Sequence, residues 1–225
     1  LKRKKQKLGW TILVIVVSVG MNLFNDKENS DVPTEESSQS EAADSVKTPA
    51  YDSSLERMGR FEILRNCCYV SDKYNDGDSF KVKTEDGRIV EVRLYFVDTA
   101  ESRDKPYADH RERVMKQGQY FGGLSYEKTL SLGKKAKERA VEKLSRSNLT
   151  VYTVWEEVYD SGRYHAFVEV GRLGWWHEYL VNEGLARIHT KGSSMPSGLS
   201  ERKRENDLEA LERVAKRAGK GGWGM

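Results

Sequence analysis

The chain has 225 residues, of which 37% are hydrophobic and 32% charged, and its formal net charge is +3. That length suits one ordinary domain with extra segments, and the composition allows a core beneath a highly charged surface. The only two cysteines, Cys67 and Cys68, are adjacent, which excludes a conventional disulfide framework, and with no Cys-x-x-Cys spacing there is no basis for a structural zinc site.

Charge is unevenly distributed along the chain. Residues 1–24 carry five basic residues and no acid, and residues 25–56 carry nine acids against Lys27 and Lys47. Residues 57–225 hold 31 basic and 26 acidic residues. A mildly basic domain suits a polyanionic substrate, but many non-binders share that balance. Leu8 to Phe24 (LGWTILVIVVSVGMNLF) is uncharged and follows the basic cluster, the layout of a secretory signal or a signal anchor. Its 17 residues reach the short edge of a bilayer span. An uncleaved anchor is the preferred reading. Cleavage after Gly20 is the alternative, since Ser18 and Gly20 have the small size signal peptidase needs. In both cases the basic flank stays cytoplasmic and the rest of the chain lies outside, membrane-anchored or secreted. Residues 25–56 are rich in Ser, Glu and Asp and poor in large apolar side chains. Such a segment cannot bury enough surface to offset its ordering entropy, so a disordered linker is expected there.

The folded domain is expected over 57–225. Phe61–Val70 and Ser79–Thr84 read as strands separated by an Asp76-Gly77 turn. Arg88–Val97 alternates and is rich in β-branched residues, which suits a third strand. Leu132–Leu144 is helical, with Leu132, Ala136, Ala140 and Leu144 repeating every four residues. Asn148–Tyr159 and Tyr164–Val170 read as strands four and five. Trp175–Glu183 reads as a second helix ended by Gly184, and Leu199–Arg217 as a third, charged one. This order predicts an α+β domain dominated by a small antiparallel barrel, and five strands with a helix after the third is the order of an OB-fold. Adjacent cysteines in a strand would face opposite ways, Cys67 and Cys68 dividing between core and surface.

Three clusters are able to carry chemistry. Asp76-Gly77-Asp78 brackets a glycine with two carboxylates, a hard-cation site if other oxygens converge on it, although Asp-Gly is also a common hairpin turn. Arg93 to Glu101 (RLYFVDTAE) is a hydrophobic strand that ends abruptly in acids. Strict alternation puts Arg93 and Asp98 on opposite faces, so both reach one site only if the strand bends or bulges. In Asp160-Ser161-Gly162-Arg163, an arginine after a tight turn is able to aim its planar fork at a phosphate, or simply to face solvent.

Taken together, Asp-Gly-Asp-Ser at 76–79, Arg-Leu-Tyr-Phe-Val-Asp-Thr-Ala-Glu at 93–101 and Gly-Arg at 162–163 resemble the signature of the staphylococcal nuclease family. Glu178–Ala186 is similar to the family's second helix and Gly222-Trp223 to its C-terminal end, so the resemblance covers about 61–225. It implies an OB-type barrel with three helices and a monomeric, calcium-dependent nuclease acting on DNA and RNA, with products ending in 3′-phosphates. By the same resemblance Asp78, Asp98 and the main-chain carbonyl of Thr99 would be Ca²⁺ ligands. Glu101 would be the general base, and Arg93 and Arg163 would hold the phosphate. Asp76 matches a nearby acid not usually counted as a ligand.

The chain departs from the family pattern in three places. Position 100 is alanine where the family usually has proline. The tyrosines that line the nucleotide pocket of the best-known member are replaced by Arg187-Ile188-His189-Thr190, leaving Tyr159 or Tyr164 as stand-ins. A long insertion, 102–130, contains Arg111, Arg113, Lys116, Tyr120 and Phe121 and reads either as a partly helical flap gripping substrate or as a plain solvated insertion. His177-Glu178 has Val181 where a zincin needs its second histidine. His110, His165 and His189 lack ligand spacing and read as surface or satisfied residues, Trp175 and Trp176 as packing, and Arg202–Arg204 as a solvated helix face. Two rivals to the enzyme remain: a catalytically silent OB-fold that binds nucleic acid or protein, and a tethered envelope interaction module. Silent domains lose acids or arginines, whereas all six candidate positions here hold the required residue types.

Overall fold

The computed structural model describes residues 55–225. The expected anchor or signal (1–24) and all but the last two residues of the expected linker (25–56) lie outside the described residues. Among the described residues, no helix is long and apolar enough to cross a membrane.

The described chain is an α+β domain with a β-sheet core and four helices. A two-residue strand β1 (Arg57–Met58) turns back onto β2 (Phe61–Val70), followed by β3 (Ser79–Lys83) and β4 (Ile89–Leu94). A short β5 (Val97–Thr99) precedes helices α1 (Ala108–Tyr120) and α2 (Tyr126–Leu144). Strands β6 (Leu149–Glu157), β7 (Arg163–Val170) and β8 (Gly174–Trp175) lead to α3 (Trp176–Asn182). The chain then forms β9 (Ala186–Ile188) and α4 (Glu201–Arg217). Pairing runs β2-β3-β4-β7-β6 and returns from β6 to β2, with β4 and β7 parallel and the other pairs antiparallel. That circuit is consistent with the OB-like expectation.

Besides β1, strand β2 pairs with both β3 and β6 because it bends. Its register with β6 shifts between Leu64 and Cys67, where Asn66 has φ +51°, an αL conformation that asparagine tolerates better than most residues. Glu62–Leu64 and, past the bulge, Cys67 pair with β6, and Cys68–Val70 pair with β3. Cys67 is buried and Cys68 exposed, as alternation requires.

The stripe Leu132, Ala136, Ala140 and Leu144 is fully buried against the barrel. The helix nevertheless starts six residues earlier than its apolar period suggests. Ser125 caps it by accepting from Lys128 N (3.3 Å), and the first buried position is the polar Thr129, whose hydroxyl donates to Ser125 O (2.8 Å). Residues 126–130 therefore belong to α2, and the fourth helix, α1, forms within the rest of the insertion. The third strand also differs from expectation. It breaks at Tyr95-Phe96, where Phe96 has φ +69°, and β5 leaves the main sheet to pair with β9.

Some surface readings are overturned by packing. His110 is buried rather than exposed, and His165 is buried too and stacks on Tyr95 with centroids 5.0 Å apart. Tyr120 and Phe121 do not face a substrate channel; they pack with Trp223, at 5.7 and 4.7 Å between rings. Arg202 and Lys203 are solvated, but Arg204 is buried and paired with Glu178.

Candidate active site

The bend after β4 resolves the alternation problem. With the strand broken at Tyr95-Phe96, Asp98 turns back toward the face from which Arg93 projects. Arg93 then donates from Nη2 to Asp98 Oδ1 (2.7 Å), and its Nη1 forms an ion pair with Asp78 Oδ2 (2.8 Å). One planar fork thus joins two carboxylates separated by twenty residues of chain, a bridge a lysine's point charge would not reproduce.

Two glycines make this convergence possible. Gly77 follows Asp76 in a turn motif, but its φ is not positive, and it is required for space. A Cβ there would lie 2.8 Å from Thr99 Cγ2 and 3.0 Å from Ala136 Cβ. Its carbonyl accepts from the indole of the fully buried Trp176 (2.8 Å), which ties the Asp76–Asp78 turn to α3. Gly133, on α2, lets the helix press on the backbone of the acidic turn. A Cβ there would sit 2.3 Å from Glu101 O and 2.4 Å from Ala100 O.

Asp78 is 1% exposed, and its oxygens accept from Thr99 N (2.9 Å) and Thr99 Oγ1 (2.9 Å) beside the ion pair with Arg93. Burial pushes its carboxyl up to about 6, against the pull of Arg93 and Thr99 and with the nearby Asp98 charge adding to the rise. Burial acts on Asp98 in the same sense. There Arg93, Arg187 and Gln117 outweigh it and hold the carboxyl below its ordinary value. Asp98 Oδ2 accepts from Arg187 Nε (2.8 Å) and Gln117 Nε2 (3.0 Å). The inner cluster is therefore two carboxylates matched by two guanidiniums.

Glu101 lies at the end of the same turn in a different setting. Its carboxylate contacts Arg113 Nη1 at 2.9 Å, Lys105 Nζ at 3.5 Å and His110 Nδ1 at 3.8 Å. All three come from α1 or the segment leading into it. Asp76 stands apart from the carboxylate pair and accepts from Ser102 Oγ (2.6 Å).

Arg163 opens β7 across the cleft, two residues before His165, whose register partner is Arg93. Its Nε donates to Ser161 Oγ (3.1 Å), and among the described residues it enters no ion pair with a carboxylate. All six sequence-predicted site residues line one cleft of about 1020 Å³. Five of them form one cluster around the 98–101 turn, and Arg163 faces it. Sequence reasoning missed Arg187 and Gln117. Arg187 carried one usable signal, a charge in an otherwise apolar stretch; Gln117 carried none.

The model of staphylococcal nuclease homologues matches residues 91–225. The chain belongs to the staphylococcal nuclease family. The match includes Arg93, Asp98, Thr99, Glu101 and Arg163 and begins downstream of Asp78, which joins the site through Arg93 and Thr99. No curated protein matches the chain. Membership implies nuclease-type activity on nucleic acids.

A family of metal-dependent nucleases implies a cation, and the donor chemistry here is suitable. Gln117 Nε2 touches both Asp98 Oδ2 (3.0 Å) and Thr99 O (3.1 Å), so a carboxylate and a carbonyl oxygen already share one hydrogen-bonding neighbour. Arg93 places Asp78 beside them. Two carboxylates and a carbonyl are the hard oxygen donors that calcium prefers. Among the described residues no group of three or more His, Cys, Asp or Glu is arranged to hold a metal. The fit therefore rests on two acids and one main-chain oxygen.

Proposed function

We propose that this chain is a calcium-dependent nuclease that hydrolyses phosphodiester bonds in DNA and RNA, leaving 3′-phosphate ends. The observation that carries the reading is that Arg93 joins Asp78 to Asp98 and Gln117 joins Asp98 to the Thr99 carbonyl, with Glu101 at the end of the same segment and Arg163 across the cleft. The hydrophobic, basic-flanked segment at 8–24 supports an extracytoplasmic location, anchored or secreted.

A phosphodiester is an anion that repels nucleophiles, so its cleavage needs charge neutralisation and an activated water placed in line with the leaving oxygen. Asp78, Asp98 and Thr99 O would hold the calcium ion, which when bound supplies Lewis-acid stabilisation of the phosphoryl oxygens. Glu101 takes a proton from the attacking water as the new bond to phosphorus forms, and the bond to the 5′-oxygen breaks with that oxygen taking a proton from solvent water. Arg163, which enters no ion pair with a carboxylate among the described residues, offers its fork to the non-bridging oxygens as charge builds on them. Arg93 orients the two carboxylates and adds positive charge at the same point.

The test is cleavage of single-stranded DNA and RNA by the full chain, with calcium or with chelator, beside Glu101→Gln. Calcium-dependent cleavage that the variant loses supports both the activity and the base. A folded protein that leaves both strands intact in calcium would sink the enzyme reading in favour of a silent binding module, to be followed by affinity for the same strands.

A further inference from the structure

The segment between Glu101 and α2 was expected to be a flap or a solvated insertion. One side chain gives it a different place. Gln117, on α1, is 1% exposed and sixteen or more residues from everything it contacts in the turn. Its Oε1 accepts from Glu101 N (3.0 Å), and its Nε2 donates to Thr99 O (3.1 Å) and to Asp98 Oδ2 (3.0 Å). A buried primary amide has two donors and an acceptor, and this one uses both ends on the four-residue stretch 98–101. From the other side Gly133 lets α2 press on the carbonyls of Ala100 and Glu101. The turn is thus clamped between a helix of the barrel and a helix of the insertion.

We propose that Gln117 is a positioning residue for the nuclease site, and that α1 is an integral part of the machinery rather than a flap beside it. The claim rests on the reading of Glu101 as base and of Asp98 and Thr99 as cation ligands. Gln117 fixes where Glu101 begins, because the Glu101 amide is the last point of the turn held before its side chain departs. It sets the spacing of Asp98 and Thr99 O because one nitrogen touches both. The same helix supplies Arg113 and His110 to the Glu101 carboxylate, so the location and surroundings of the base come from one element. A misplacement of about 1 Å at a reacting group costs on the order of 10²-fold in rate, the scale on which the loss of this clamp should register.

The experiment compares the full chain with Gln117→Leu and Gln117→Glu by two readouts: steady-state cleavage in calcium, and amide hydrogen exchange at Glu101 followed by NMR. Gln117→Leu removes every contact at similar volume. It should lower kcat roughly 100-fold with KM changed by less than about threefold, and speed exchange at Glu101 by about tenfold or more. Exchange at Thr99, whose N–H is held by Asp78, should change little by comparison. Gln117→Glu keeps an acceptor for Glu101 N and loses the donor. Glu101 should then stay protected while kcat still falls, which separates the two halves of the clamp even if the leucine variant fails to fold. Cleavage by Gln117→Leu within threefold of the parent, a loss confined to KM, or unchanged protection of Glu101 would overturn the proposal. If the parent chain cleaves nothing, the nuclease reading fails on its own. The exchange data then decide whether Gln117 holds the turn.

Discussion

The two halves of the site are built differently. The inner half, Asp78, Asp98 and Arg93, is made by the barrel, with carboxylates from two separate turns joined under a single guanidinium and shielded from solvent. The outer half, Glu101 with Arg113, Lys105 and His110, is supplied by a segment that the barrel does not need in order to close. Burial makes the first half costly to disturb, because a charge stranded in the interior keeps its desolvation penalty after its partner is gone. The second half pairs Glu101 with two more exposed cations, Lys105 and Arg113, and contacts of that kind contribute little to stability. The charges that hold the fold and the charge proposed to act in the reaction thus sit at opposite ends of one short segment, 98–101.

The sharpest test of this division is Glu101→Gln. Cleavage is expected to fall by roughly 10²–10⁴-fold, while thermal melting stays close to that of the parent because the lost contacts are mostly with exposed cations. A large drop in melting temperature would erase the contrast. On the inner side, Arg93→Met should destabilise the protein by about 3–5 kcal/mol in urea unfolding, since Asp78 and Asp98 would face each other without their shared cation. A loss below about 1 kcal/mol would mean that the pair is hydrated.

Gly133→Ala probes the hinge between the halves. A methyl group 2.3 Å from Glu101 O forces the turn or the helix to move, at a cost of about 1–3 kcal/mol. Amide shifts in an NMR spectrum should cluster at 99–102 and around 133. The barrel half also carries a pH dependence. Burial, with the Arg204 charge adding, pushes His177 down to about 3 from an ordinary value near 6.5. Below pH 6.5 the unfolded chain binds a proton that the native state refuses, so stability is full above that pH and declines as pH falls toward 3. The slope contributed is at most about 1.4 kcal/mol per pH unit. Urea midpoints of the parent and His177→Leu across this range should diverge in slope, and parallel profiles would remove His177 as the source. The smallest effect is expected for Arg113→Ala. That side chain is 55% exposed, so its pair with Glu101 contributes under about 1 kcal/mol, and an unchanged melting curve is the expected result.

Much of this molecule was legible residue by residue. Apolar periodicity located the buried stripe of α2, and alternation assigned Cys67 to the core and Cys68 to the surface. Motif order brought Asp78, Arg93, Asp98, Thr99, Glu101 and Arg163 to one cleft. Local pattern failed where contacts replaced it. Helix α1 has no strong apolar stripe of its own, and β9 is three residues long and exists because β5 pairs with it. Arg204 was legible as a charge on a charged helix, but only the approach of α3 buries it against Glu178.

The sequence by itself determined the α+β class, the main strands, the heart of α2 and the identities of the candidate acids and arginines, because each depends on period, turn chemistry or a short motif. Tertiary structure decided that Arg93 bridges two carboxylates, that Gly77 and Gly133 serve close approach, and that Arg187 and Gln117 complete the cluster. These last facts depend on where a bent strand and an inserted helix come to rest. Such placement is set by contacts between residues far apart in the chain, and no local pattern carries it.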